Sequence, residues 1–166
     1  MNVAQKVQLD IRSDSRGHCI TLTRHTNLGC NRQEEGNGMA LTLEDRLDIR
    51  ELMARYAHAL DYHNLPAMRD IWTDDCRFQA DEPEVNITGI EALIAFFKDT
   101  VATVPNARHL IDNLYIEGAA SEALCHAYLS IVDADTGALL GFGRYRDDVV
   151  RTASGWRIRS RVFTAG

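Results

Sequence analysis

The chain has 166 residues, 45% of them hydrophobic and 25% charged, with a formal net charge of −6. That is the profile of one soluble domain, not two. An acidic surface offers no basic patch to nucleic acid or an anionic membrane, and no apolar run approaches the ~20 residues of a membrane span. The opening "MNVAQKVQLDIRSDSRGHCI" lacks the apolar centre of a secretory signal, so a cytoplasmic protein is expected. Cysteines stand at 19, 30, 76 and 125 with irregular spacing, which points to reduced thiols instead of a disulfide framework.

Residues 1–38 carry no sustained periodicity and end in the breaker cluster "EEGNG". They are expected to form a mobile tail, with Met39 as the start of the domain proper, 39–166. On that expectation, deleting the tail leaves the melting temperature nearly unchanged, and a large drop refutes it. His18, Cys19, His25 and Cys30 fall in this tail, but their spacing matches no strong zinc pattern and no metal is expected.

From residue 40 the elements are clear. Thr42 followed by Asp45 makes a capping-box-like helix start, and Ile49, Leu52, Met53, Tyr56 and Leu60 then recur on one helical stripe. "LPAMRDIW" fits a short second helix with Pro66 in its first turn. "DDCRFQA" reads as a strand and "GIEALIAFFKDTV" as an amphipathic helix using Ile90, Leu93, Ile94 and Phe97. After Pro105 the period becomes two. "ARHLIDNLYIEG", "SEALCHAYLSIVDAD", "GALLGFGRYRDDVVRT" and "GWRIRSRVFTAG" are strand candidates separated by "EGAAS", "DADTG" and "TASG". Such short links imply antiparallel pairing, and helices followed by a sheet make an α+β domain. Curving the sheet beneath helices on its open side would give a cone with a pocket.

The pieces "RYAHALDYHNLPAMRDIWTDDCRFQ", "ITGIEALIAFFKD", "RHLIDN" and "GRYRDDVVRTASGWRI", in this order and spacing, resemble the SnoaL-like branch of the nuclear transport factor 2-like superfamily over residues 41–166. The resemblance implies the cone fold. It leaves activity open, because the superfamily contains scytalone and bile acid dehydratases, ketosteroid isomerase, limonene epoxide hydrolase and polyketide cyclases beside non-catalytic transport and assembly proteins. In the dehydratase-like members a helix-end aspartate pairs with a histidine on the first long sheet strand. The matching residues here are Asp61 and His109, with Tyr56 matching a tyrosine five positions before the aspartate in the bile acid dehydratases.

The residues make a case of their own. Five helical positions separate Tyr56 from Asp61 by about 140°, so both look into one pocket only if the helix ends near Leu60. Strand alternation places His109, Ile111 and Asn113 on one face, a mixture that suits a pocket with a few polar groups. An imidazole accepts or gives a proton near neutrality. Asp61 would hold one ring nitrogen and fix the tautomer, and Tyr56 would polarise a carbonyl or protonate a leaving oxygen. This equipment removes a proton beside a carbonyl without a metal or redox cofactor. Arg144, with Phe142 on its strand face, is a candidate to hold a carboxylate or oxyanion. Trp72, Phe78, Phe97, Ile111 and Tyr128 are candidates for an apolar lining.

Other residues read as structural. His58 and His63 are expected to face solvent, His126 to be structural, and Arg157, Arg159 and Arg161 to form a solvated or subunit-facing stripe opposite Trp156 and Ile158. The isomerase template is half present, since Ala80, not Asp81, occupies the strand position of its base, and no set matches the epoxide hydrolase. The leading expectation is a cofactor-independent dehydratase-like lyase or isomerase acting on a small hydrophobic, cyclic substrate. The alternatives are a polyketide cyclase or epoxide hydrolase-like enzyme, a non-catalytic ligand-binding module, or a relative of the small subunit of ring-hydroxylating dioxygenases. Leu110, Leu114, Ile116, Leu129 and Ile131 are expected on the outer sheet face, where they would drive self-association, as a homodimer first and a trimer second.

Overall fold

A computed structural model describes residues 40–166; the expected tail, with its cysteines and histidines, lies outside them. The chain runs through helix α1 (Leu43–Asp61), a 3-10 turn (Leu65–Asp70), strands β1 (Trp72–Asp81) and β2 (Glu84–Thr88), helix α2 (Ile90–Thr103), and strands β3 (Ala107–Ala119), β4 (Glu122–Asp133), β5 (Leu139–Thr152) and β6 (Gly155–Ala165). The strands form one open sheet in the order β2-β1-β6-β5-β4-β3. β1 and β6 run parallel and every other pair antiparallel. The α+β expectation therefore holds, with one parallel joint because the chain turns from β1 into β2 and crosses by α2 before it builds the other four strands, the last of which returns beside β1. β2 was not anticipated: "EVNIT" is short and its side chains only alternate between half-buried and exposed.

α1 starts where the cap predicts. The Thr42 hydroxyl accepts from the Asp45 N–H at 3.1 Å, and the Thr42 N–H donates to Asp45 Oδ2 at 2.9 Å. Asp45 is itself buried, taking the Trp156 indole N–H at 3.3 Å and pairing with Arg151. One carboxylate thus caps the helix and fastens it to the far end of β5 and β6. The stripe Ile49, Leu52, Met53, Tyr56 and Leu60 is buried throughout, and Arg46 adds a hydrogen bond to the Ile116 carbonyl on β3 at 2.9 Å. α2 buries Ile90, Leu93 and Phe97. Tyr56, Trp72, Phe97 and Tyr145 meet edge-on or tilted at ring separations near 6 Å, forming the aromatic centre of the core.

Register irregularities in β3 and β6 decide which side chains face that core. In β3 an extra residue lies between Asp112, opposite Tyr128, and Tyr115, opposite His126. Asn113 takes φ +52° there, a left-handed conformation that asparagine tolerates. Alternation is thereby reset, and Ile116 turns inward. Leu129 opposes Ile111 and Ile131 opposes His109, so they share the inner face. This corrects the expected outer-face set: Ile116 and Leu129 are core, Leu114 and Ile131 pack against it, and Leu110 alone of the five is exposed. The outer face instead shows Tyr115, Tyr128, Leu140 and Phe142 beside Leu110.

The second irregularity is in β6. Counting back from the β5–β6 turn pairs Val149 with Ile158, but Asp148 with Ser160, leaving Arg159 bulged. Arg161 consequently points inward. The expectation of one solvated arginine stripe is corrected: Arg159 is exposed and pairs with Glu122, whereas Arg161 is 0% exposed. The third irregularity lies in β1 between Trp72 and Arg77. Trp72, Cys76 and Phe78, which plain alternation already places on one face, are buried, while Asp74 of the same phase is exposed within the irregular stretch.

Candidate functional site

Asp61 is the last residue of α1. The helix stops because Tyr62 leaves helical geometry and His63 adopts φ +56°, while the Asn64 N–H turns back to the Ala59 carbonyl at 2.8 Å. A carboxylate at a helix C-terminus faces the negative end of the helix dipole, which disfavours it. β3 supplies the compensation. The His109 backbone N–H lies 3.1 Å from each Asp61 oxygen, the His109 ring Nδ1 lies 2.7 Å from Oδ1, and the Arg108 guanidinium donates to the Asp61 carbonyl at 3.3 Å. The two side chains are 9% and 13% exposed. With Nδ1–H committed to Asp61, the opposite nitrogen, Nε2, is the one left to exchange a proton.

His109 opens into a cleft of about 340 Å³ between α1 and β3. Met53 and Ala57 line it from the helix, Ile111 and Leu114 from the strand, and Arg50 and Asn113 contribute polar groups. His58 also lines the cleft while remaining exposed, and His63, in the turn, is exposed too. The structure thus brings Asp61, His109, Ile111 and Asn113 to one place, although Asn113 arrives through the bulge and not through simple alternation.

Tyr56 is elsewhere. It is 1% exposed in the aromatic core and is not among the cleft-lining residues. Burial raises the pKa of its phenol, opposed by the positive charge of Arg161. The Arg161 guanidinium sits 4.1 Å from the Tyr56 ring centroid and 3.8 Å from that of Tyr145. Asp147 takes its Nε–H at 2.7 Å and an Nη2–H at 2.6 Å. Burial opposes the guanidinium's charge, but the Asp147 carboxylate outweighs it and the pKa is raised. The Nη1 group of Arg161 and the Trp72 indole N–H find no partner among the described residues. Met53 touches both regions: it lines the cleft, and its Sδ lies 3.4 Å from Arg161 Nη2. Sequence reasoning missed this buried pair because it rests on the β6 bulge.

The remaining candidates divide. Trp72, Phe78 and Phe97 are core residues outside the cleft lining. Arg144 lies opposite Tyr128, both exposed on the outer face with Phe142, whose ring stacks on Tyr128 at 6.3 Å. Gly143 and Tyr145, the neighbours of Arg144, occupy the inner face, so Arg144 and Tyr128 point away from the cleft. His126 is half-buried beside Tyr115 on that same outer face. Cys76 and Cys125 are free and buried.

An open curved sheet with α1 laid across it is the nuclear transport factor 2-like fold. Residues 41–162 match the SnoaL-like domain, and the chain belongs to that family. The uncharacterised protein Rv2910c of Mycobacterium tuberculosis is 28% identical over 131 residues, 74% of this chain and 86% of its own. A Nostoc punctiforme protein of unknown function with a cystatin-like fold superposes with a TM-score of 0.72 at 26% identity, covering 77% of this chain and 96% of that one. An NTF2-like protein of Novosphingobium aromaticivorans shares the fold with a TM-score of 0.68 at 23% identity, covering 74% and 82%.

Proposed function

We propose that this protein is a cytoplasmic, cofactor-independent lyase or isomerase of the dehydratase type, acting on a small hydrophobic cyclic substrate bound between α1 and β3. The observation that carries the reading is the 2.7 Å contact between His109 Nδ1 and Asp61 Oδ1, doubled by the backbone N–H of the same histidine. It is a base held by its orienter, facing a cleft with an apolar floor. His109 Nε2 takes a proton from carbon beside a carbonyl. Asp61 stabilises the imidazolium that forms, and the proton returns to the leaving oxygen in an elimination or to another carbon in an isomerisation. In this reading Tyr56 and Arg161 Nη1, which finds no partner among the described residues, would reach the carbonyl oxygen only after a rearrangement of Met53, a flexible thioether that lines the cleft and touches Arg161.

The test is solvent deuterium exchange at the α-carbon of cyclic ketones. Wild-type protein should accelerate it, and His109→Ala should reduce the rate by ~10²–10⁴-fold. Exchange at the buffer rate across the panel would leave a ligand-binding module without catalysis. The working unit in this reading is a homodimer joined through the outer sheet face, where Leu110, Tyr115, Tyr128, Leu140 and Phe142 are exposed together.

A further inference from the structure

The cleft has two chemically different ends. α1 and β3 run in opposite directions, since Asp61 meets His109 at one end while Arg46 reaches Ile116 at the other. Arg50 lies eleven helical positions before Asp61, about 16 Å at 1.5 Å per residue. Asn113 lies four strand positions beyond His109, about 13 Å away. Arg50 and Asn113 therefore stand at the end of the cleft opposite the histidine, with Met53, Ala54, Ala57 and Ile111 between.

Arg50 is a cation without a local counter-ion. The positions that flank it on the helix surface, Arg46, Leu47, Met53 and Ala54, carry no acid, and no described residue forms an ion pair with it. Arg46 and Arg50 are one turn apart, a like-charge spacing that costs helix stability. The acid nearest on the strand, Asp112, is exposed and also borders the cleft, opposite Tyr128 in the β3–β4 register. At this end the cleft offers a guanidinium and an amide, and no described residue holds Arg50 in an ion pair.

We propose that the cleft binds an organic acid, with its carboxylate on Arg50 and Asn113 and its apolar body over Ala54 and Ala57. The carbon to be deprotonated lies against His109, about 13–16 Å from that end on the spacing above. This rests on the lyase or isomerase reading for the reacting end, and it adds the substrate class. Guanidinium and carboxylate match in shape and hydrogen bonding, so the acid should bind better than any neutral analogue of the same body.

The experiment measures binding of linear, monocyclic and bicyclic aromatic carboxylates, each against its primary amide, by NMR titration of the full chain. Wild-type protein should prefer each bound acid over its amide by about tenfold, a factor worth 1.4 kcal/mol. The preference should shrink as salt is raised. Arg50→Met should abolish the preference while leaving amide affinity in place, and Arg50→Lys should retain part of it. Equal affinity for acid and amide, or no saturable binding of any pair at millimolar concentration, overturns the proposal. Asp61→Asn separates the two readings. Acid preference that survives there, with no deuterium exchange even in wild type, upholds the acid site and refutes the enzyme. Exchange on neutral ketones without acid preference does the reverse.

Discussion

Asp61 grips His109 by both backbone and ring: its carboxylate receives the N–H of the residue at 3.1 Å and the ring nitrogen Nδ1 at 2.7 Å. The backbone contact holds the carboxylate against β3 whatever the ring does, so the carboxylate is in place to meet Nδ1. Asp61→Asn keeps the shape and removes the negative charge. We expect ¹⁵N NMR of His109 to show Nδ1 protonated in the wild type, with the tautomer mixed or inverted in the variant and α-proton exchange reduced at least tenfold. Identical ring spectra in the two proteins would refute the orienting role.

Arg161 and Asp147 form a buried ion pair with side chains 0% and 2% exposed. Replacing Arg161 alone with Met leaves Asp147 charged in the core and should cost about 3–5 kcal/mol, as should Asp147→Leu alone. Replacing both together should recover most of that loss. Urea unfolding of the three variants checks it, and a double variant as unstable as the sum of the singles would contradict it.

The exposed ring stack of Tyr128 on Phe142 lies on the outer face. Phe142→Lys should shift the protein toward monomer, with its circular dichroism spectrum unchanged. Light scattering at micromolar concentration reads this directly, and a wild-type monomer would remove the dimer from consideration.

The two buried thiols make a pH prediction. Burial pushes Cys76 up to about 11, helped by the negative charge of Asp75, and Cys125 up to about 12, helped by Asp147. The folded state thus holds these protons more tightly than the unfolded chain, whose thiols titrate near 9.0. Their stabilising effect is complete below that pH and is lost as pH rises through 9 toward 12. Peptide-resolved alkylation with iodoacetamide at pH 8 should leave both unmodified in native protein and label both in denaturant.

The helices and the four long strands were legible because each depends on local signals: a cap, a stripe, a helix stop, a change of period; the Asp61–His109 pairing, 48 residues apart, came only from the family resemblance. What the sequence hid was strand phase. The pleat rule carries a side chain to the wrong face after one extra residue, and β3 and β6 each contain one. Ile116 and Arg161 were misplaced for that reason, and the phase of β4 went with them, so Tyr128 was expected in a pocket and Leu129 outside it. A signal for the β6 bulge does exist. Continuing the register of the β5–β6 turn without interruption would set Arg161 opposite Arg146, a like-charge pair. Skipping Arg159 sets it opposite Asp147 instead.

α1 acts as a ruler held at both ends. Asp45 fixes its start to Trp156 and Arg151, and Asp61 fixes its finish to β3. Nineteen residues fill the span, so lengthening or shortening the helix by a single position would swing one end by about 100° relative to the other. Leu52, Met53 and Tyr56 in its middle are locked in the core, but Ala54 and Ala57, which line the cleft, are small. Ala54 and Ala57 set how wide the cleft is, and enlarging or polarising them changes what fits without moving either anchor. The molecule thus separates a pinned Asp61–His109 end from an adjustable gauge, an arrangement by which members of one fold can keep the same polar pair while admitting molecules of different girth.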